Sequence, residues 1–340
     1  MIPKLQRILL AIAAALIAVD LAWGFAGGFQ VDVLAYGKVA LLSAALVGAG
    51  IFYQVRRAEP RIAAMLLGAS FLCAFSAAAS LLNYFLLTFH GPRIDGALAA
   101  ADLALGFDWA AVMTAVADYP LSNTVLFFVY NIVLPEIALM TVLLGWRGNA
   151  EKTYRFCIAV AVSALLCMAV WSAFPSFGAF SIHPQQPAFA GMTLALDSSY
   201  AAELVRLLEH GPGLISPRDT QGLIGFPSYH AVLALLVVWY ARAVPRLFWP
   251  LAAVNALVLV ATPIQGGHHL VDVLAAFPVT ALALWLAGDL AIISRKPSGM
   301  VNRLRKFTIG PVPQGLFRIA PAQSHDDAPP AIKSKLSGFS

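Results

Sequence analysis

Apolar runs of about 20 residues recur along this chain, and they limit what it can become. A helix needs a run of that length to cross a bilayer. Inside a bilayer only helices and closed barrels satisfy their own backbone groups. Eight runs qualify or nearly qualify: Ile8–Gly28, Val33–Tyr53, Ile62–Phe89, Asn123–Trp146, Tyr154–Phe174, Ser228–Tyr240, Leu247–Pro263 and His269–Ile293. Only 11% of the 340 residues are charged, whereas a soluble domain carries roughly 25%. The expected fold class is therefore all-α, a polytopic membrane helical bundle with about eight transmembrane helices. Pro135 is placed to kink the fourth. The first run has a basic start (Lys4, Arg7), but it is long and lacks a small-residue cleavage site, so a retained anchor is expected.

The loops give an orientation. Arg56, Arg57 and Arg61 lie between runs two and three, Arg147, Lys152 and Arg155 between four and five, and Arg242 and Arg246 between six and seven. Arg295, Lys296, Arg303, Arg305 and Lys306 follow the last run. Basic loops stay on the cytoplasmic side. The expectation is a multi-pass cell (inner) membrane protein with both termini cytoplasmic. The net charge of +5 then reports orientation rather than nucleic-acid binding. Cys73, Cys157 and Cys167 fall inside apolar runs without metal-type or disulfide spacing.

Four segments follow from this reading. Residues 1–90 form accessory transmembrane helices 1–3. Residues 91–121 form an outer connection, in which apolar spacing from Ile94 to Trp109 reads as an amphipathic helix on the outer surface. Residues 122–295 carry five transmembrane helices as a catalytic core. Residues 296–340 form a cytoplasmic, partly disordered tail, rich in Pro, Ala and Ser. The long connection from Pro175 to Gly225 is of a length that usually carries function. Asp20, Lys38, Asn83, Asn131 and Glu136 lie in or near the runs and are read as interhelical polar contacts or snorkelling groups.

Two polar clusters interrupt the apolar pattern. Phe226-Pro227-Ser228-Tyr229-His230 opens the sixth run, and Gly266-Gly267-His268-His269-Leu270-Val271-Asp272 opens the eighth. The predicted orientation puts both at the outer face. Helix amino termini offer unpaired N–H groups and the positive end of the dipole, which suits phosphate. Gly267 and its neighbour let backbone approach a ligand, and Ser228 adds a hydroxyl. His268 and Asp272 are four apart and share one helix face. Asp272 can then fix the imidazole tautomer and prepare His268 as a nucleophile, while His230 can protonate a leaving oxygen.

These residues carry a resemblance. Pro227-Ser228-Tyr229-His230 resembles the PSxH motif of the type 2 phosphatidic acid phosphatase superfamily, and Gly267-His268 through Asp272 resembles the end of its last motif, GxHxxxD. The text from Gln221 to Phe277, and Leu105-Gly106-Phe107-Asp108-Trp109, is similar to the inositol phosphorylceramide synthase-like branch. The resemblance implies His268 as the nucleophile that forms a phosphohistidine, Asp272 as its orienting carboxylate, His230 as the proton donor and Ser228 as a phosphate ligand. It implies no metal and no cofactor. Members of the wider family carry Ser-Arg before the nucleophile, where this chain has Ala261-Thr262, and a Lys-x6-Arg-Pro motif absent here. Arg206 and Arg218 are the candidates to replace the missing cations at phosphate. His269 and Tyr229 are assigned to packing.

The expected function is a membrane lipid-phosphate phosphatase acting at the extracytoplasmic face, with a lipid phosphate as substrate. One alternative is a phospholipid or sphingolipid headgroup phosphotransferase, which needs an alcohol acceptor. Another is a non-catalytic lipid- or ion-binding membrane protein.

Overall fold

The computed structural model describes residues 2–89, 91–183, 189 and 191–289. The expected tail at 296–340 lies outside the described residues. Each of the eight apolar runs forms helix over most of its described residues. Among the described residues five helices are long and apolar enough to cross a membrane: α1 (Ile2–Gly27), α2 (Val33–Val55), α3 (Pro60–Phe85, continued as a 3-10 turn to Thr88), α8 (Ala150–Ala173) and α11 (Phe248–Gln265). The fourth run is a bent pair, α6 (Pro120–Asn131) and α7 (Val133–Trp146), with an angle of 48° between them. Pro135 sits in the first turn of α7. It lacks the N–H that would bond Asn131, so the helix breaks where its ring would crowd that carbonyl.

The sixth and eighth runs are short. α10 (Tyr229–Ala241) has 13 residues and α12 (Leu270–Leu286) has 17. By length and composition the described residues hold five spans, or up to seven if each bent pair is one span. α10 is apolar on all sides and packs against α7, α8, α11 and α12. A helix with no polar face belongs inside a bundle. Ala231, Val232, Ala234, Leu236 and Val237 are fully buried, so α10 need not match the bilayer by itself. Its first residue, Tyr229, lines a cavity.

The connection at 91–121, expected to hold one amphipathic helix, differs from that expectation. It breaks into α4 (Asp95–Ala104) and α5 (Trp109–Ala117), bent by 77°. The turn between them needs the positive φ (79°) of Gly106, and Asp108 caps α5 by accepting from the Ala111 N–H at 3.1 Å. The inward face of α4 carries the acids. Asp95, Leu98 and Asp102 are buried, whereas Leu103 and Leu105 are exposed. Trp109 ties α5 to α11, donating from Nε1 to the Pro263 carbonyl at 2.8 Å.

Of the polar groups in apolar runs, Glu136 makes the expected interhelical contact, accepting from Asn255 Nδ2 at 3.0 Å. Lys38 is exposed. Asn131 donates to the Phe127 carbonyl within its own helix at 2.8 Å. Asn83 is buried, and its Oδ1 has no hydrogen-bond partner. Asp20 is buried with neither carboxylate oxygen hydrogen-bonded.

Candidate active site

Three loop segments meet backbone to backbone at one end of the bundle: Ser176–Gly178 after α8, Gly225–Ser228 before α10, and Gly266–His269 between α11 and α12. Glycine makes the contacts possible. A Cβ on Gly225 would lie 2.2 Å from the Ser176 carbonyl oxygen, and one on Gly178 would lie 2.4 Å from the Gly267 oxygen. Gly267 itself has φ +60°, which disfavours any side chain. Its carbonyl accepts from the Ala179 N–H at 2.6 Å. A Gly225→Ala enzyme is therefore expected to lose most activity and to unfold at lower temperature, because one loop must move off the other. Comparing turnover with thermal unfolding of the detergent-solubilised variant checks this, and an unchanged variant would refute the close-packed arrangement.

Within this frame Ser228 caps α10, its Oγ lying 3.4 Å from the Ala231 N–H it accepts from, and it is fully buried. The same Oγ lies 3.3 Å from His268 Nε2. The other ring nitrogen, Nδ1, lies 3.1 Å from Asp272 Oδ2. Asp272 also accepts the His269 N–H at 2.9 Å, as an acid in the first turn of a helix does. Nδ1 thus faces the Asp272 carboxyl and Nε2 faces the Ser228 hydroxyl, an arrangement compatible with Nδ1–H donating to Asp272. Burial pushes the His268 imidazole below its ordinary value, so the ring is neutral near pH 7. The α10 start is also tied to the α12 first turn, because the Ser228 N–H donates to the Asp272 carbonyl at 3.1 Å.

His230 stacks on Tyr130, with ring centroids 4.4 Å apart and planes 14° from parallel. The Tyr130 hydroxyl lies 3.4 Å from His230 Nδ1. His230 and His268 line one cavity of about 240 Å³, with Tyr130, Ser176, Tyr200 and Gly225 among its other walls. The long connection supplies part of that wall. Its helix α9 (Ser198–His210) buries Ala201, Leu204 and Leu207, and Tyr200 donates to the Gly222 carbonyl. Gln265 fixes the approach to α9, with its backbone carbonyl 2.9 Å from the Leu196 N–H and its Oε1 3.1 Å from the Ala195 N–H.

The sequence-derived site residues divide into two groups. Ser228, His230, His268 and Asp272 come together. Gly267 is adjacent and turns the chain there. Arg206 and Arg218 do not enter the cavity: Arg206 is half exposed and pairs with Glu203 at 2.6 Å, and Arg218 is exposed. Among the described residues no lysine or arginine lines the cavity. The cation beside its wall is Arg93, which stacks over Phe177 at 4.5 Å and pairs with Asp95 at 2.9 Å. Thr262 is buried and bonds the Val258 carbonyl at 2.8 Å, so that position is a closed helix contact.

Two functional candidates escaped the sequence reading. Asp95 Oδ1 accepts from Ser176 Oγ at 2.8 Å, the Phe177 N–H at 2.7 Å and the Gly178 N–H at 3.1 Å. Asp102 accepts the Leu270 and Val271 N–H groups, each at 2.9 Å. One buried face of α4 thus clamps both the cavity wall and the start of α12. The N–H groups expected to be free at the α12 amino terminus are taken, those of Leu270 and Val271 by Asp102 and that of His269 by Asp272. His269, assigned to packing, is fully buried beside the same acids, with Nδ1 3.5 Å from Asp102 Oδ2 and Nε2 4.0 Å from Asp95 Oδ1.

Comparison with known proteins places this geometry. The sequence model of a family described as the PAP2 superfamily matches residues 96–286. The match therefore takes in Asp102, Ser228, His230 and the His268–Asp272 dyad, begins one residue after Asp95, and leaves α1–α3 outside. No curated protein and no solved structure matches the chain.

Proposed function

This chain belongs to the PAP2 superfamily, whose members are phosphatases or phosphotransferases, and from that premise we propose that it is a lipid-phosphate phosphatase working through a phosphohistidine. The observation that carries the reading is the convergence of Ser228, His268 and Asp272 within hydrogen-bond distances, beside a cavity that His230 also lines.

In the first step His268 Nε2 attacks phosphorus of a lipid phosphomonoester. The new P–N bond forms as the bond from phosphorus to the lipid oxygen breaks. The leaving oxygen takes a proton from His230 and departs as the lipid alcohol. Asp272 holds Nδ1–H and stabilises the positive charge that develops on the ring. In the second step water attacks phosphorus, His230 takes its proton, and the P–N bond breaks. Phosphate leaves, and His268 returns to its neutral form. The Ser228 hydroxyl and the first N–H groups of α10 face the phosphoryl oxygens. No residue role in this cycle requires a metal. Gly267 supports the turn that presents His268, while Arg206 and Arg218 remain outside the proposed contacts. The proposed setting is the extracytoplasmic end of a multi-pass cell membrane, with both termini cytoplasmic, as the basic loops imply.

The second reading is headgroup transfer, in which an alcohol replaces water in the second step. The cavity favours it, because its wall extends past the dyad to Leu196 and Tyr200 of the long connection. One assay separates the two. Purified protein is given a panel of lipid phosphates, with and without alcohol acceptors and with EDTA present. Free phosphate without an acceptor supports the phosphatase, and products that require an acceptor support the transferase. Loss of activity in EDTA that added divalent metal restores would overturn the metal-independent cycle.

A further inference from the structure

The first three helices lie outside the family match, yet they build a feature of their own. α1 and α2 both pack mainly on α3, so a groove runs between them with α3 as its floor. Two cavities occupy it, of about 530 and 540 Å³, and they share Ile17 and Ala74. Each is within the size range of ligand pockets, roughly 300–1,000 Å³. They lie end to end along one apolar groove. It runs from Gly24 and Phe29 at one end to Gln6 and Gln54 at the other. Its rim carries exposed apolar residues, including Leu21 and Val33.

One polar side chain does not fit this apolar setting. Asp20 lines the cavity nearer Phe29, is 6% exposed, and has no hydrogen-bond partner on either oxygen. The neighbouring Tyr36 hydroxyl, which lines the same cavity, is engaged with Ser80 Oγ at 3.0 Å. A buried carboxyl without a partner costs several kcal/mol, whether charged or not. Such a group is retained where something else supplies the missing hydrogen bond. Asp20 is seven residues before Gly27, about 10 Å from the helix end. With the end of α1 at headgroup level, a depth of about 10 Å reaches the top of a lipid chain.

We propose that the α1–α2–α3 groove binds a membrane lipid, taking its chain along the groove and accepting a hydrogen bond at Asp20 from a hydroxyl or amide N–H near the top of that chain. Lipids with only ester linkages offer no such donor. The site is separate from the dyad cavity, and its occupancy does not depend on turnover.

The test uses two photoactivatable probes in bilayer nanodiscs: a long-chain fatty alcohol bearing a diazirine, and its O-methyl ether. They share the chain and differ in the donor. The alcohol is expected to label peptides from the groove lining, around Gly24 and Ala77–Leu81, more strongly than the ether does. Asp20→Leu should reduce alcohol labelling about five-fold, the worth of one net hydrogen bond, to the level of the ether. Asp20→Asn keeps an acceptor oxygen and should retain the preference. Thermal unfolding and turnover of both variants report whether the bundle is intact. Equal labelling by the two probes, or an alcohol preference that survives Asp20→Leu in a folded protein, overturns the proposal. Crosslinks between two copies through the groove would also overturn it, since a second chain would then be the occupant.

Discussion

Replacing His268 by Ala is expected to abolish turnover, by about 10³-fold or more, while the protein still folds and stays in the membrane. The nucleophile cannot be shared: Ser228 Oγ lies 3.3 Å away but has no base of its own once the imidazole is gone. Groups that act as one unit lose nearly everything when the nucleophile goes. Removing the ring also strands little, because Asp272 keeps the His269 N–H at 2.9 Å. His230→Ala should behave differently. General acid assistance contributes roughly 10²–10⁴-fold, but only where the leaving oxygen needs a proton. In the rate of phosphoenzyme formation an alkyl phosphate substrate should therefore lose that factor, and p-nitrophenyl phosphate, whose leaving group departs unaided, should lose far less, whereas the loss of the base in the second step falls on both alike. Rapid quenching with labelled substrate adds a direct reading, since the acid-labile, base-stable phosphoenzyme should vanish in His268→Ala and persist in His230→Ala. Full activity in His268→Ala would sink the nucleophile assignment, and equal losses in the rate of phosphoenzyme formation on both substrates in His230→Ala would sink the proton-donor role.

What was legible in the sequence was the set of apolar runs and the two polar clusters that open them. A polar pair at the start of an apolar run conflicts with its surroundings, and such conflicts mark sites. The basic loops then put Ser228 and His268 at one face, and the structure brings them to 3.3 Å. The acids of α4 were not legible, because the sequence pattern has two solutions. Asp95, Leu98 and Asp102 repeat at spacings of three and four, so they share a helix face whichever way the helix turns. Amphipathic logic sends that face to water. Here the neighbours reverse it, since the Ser176–Gly178 loop and the α12 terminus present unpaired N–H groups that only a carboxylate can take two or three at a time. The signal available beforehand was the Gly-rich character of those loops, whose backbone groups had to be satisfied by something. The substitute arginine failed for a related reason. Sequence distance favoured Arg218 and Arg206, but Glu203 holds one and the other is exposed. Arg93 lay beyond the residues weighed, because it reaches the cavity wall through its stack on Phe177.

The α4 clamp gives the other large expected effect, and its two acids should respond unequally to the same change. Asp102 uses both oxygens, Oδ2 for the Leu270 N–H and Oδ1 for the Val271 N–H, each at 2.9 Å. An amide has one acceptor, so Asp102→Asn turns an NH2 group against a backbone N–H in a buried setting. The stranded donor costs about 1–3 kcal/mol, and the opposed N–H groups add to that by pushing the start of α12 away. His268 and Asp272 ride on that start, so turnover should fall with stability. Asp95 gathers its three inward bonds on Oδ1, with Oδ2 left for the partly exposed Arg93. Asp95→Asn can keep Oδ1 in place and turn its NH2 outward, losing only an ion pair worth up to about 1 kcal/mol. Thermal unfolding and turnover of the two variants, measured side by side in one detergent, decide the matter. Asp102→Asn should unfold several degrees lower and lose most activity, and Asp95→Asn should stay close to the parent. The reverse order would mean that α4 holds the site through Arg93 and the Asp95 loop rather than through the α12 terminus.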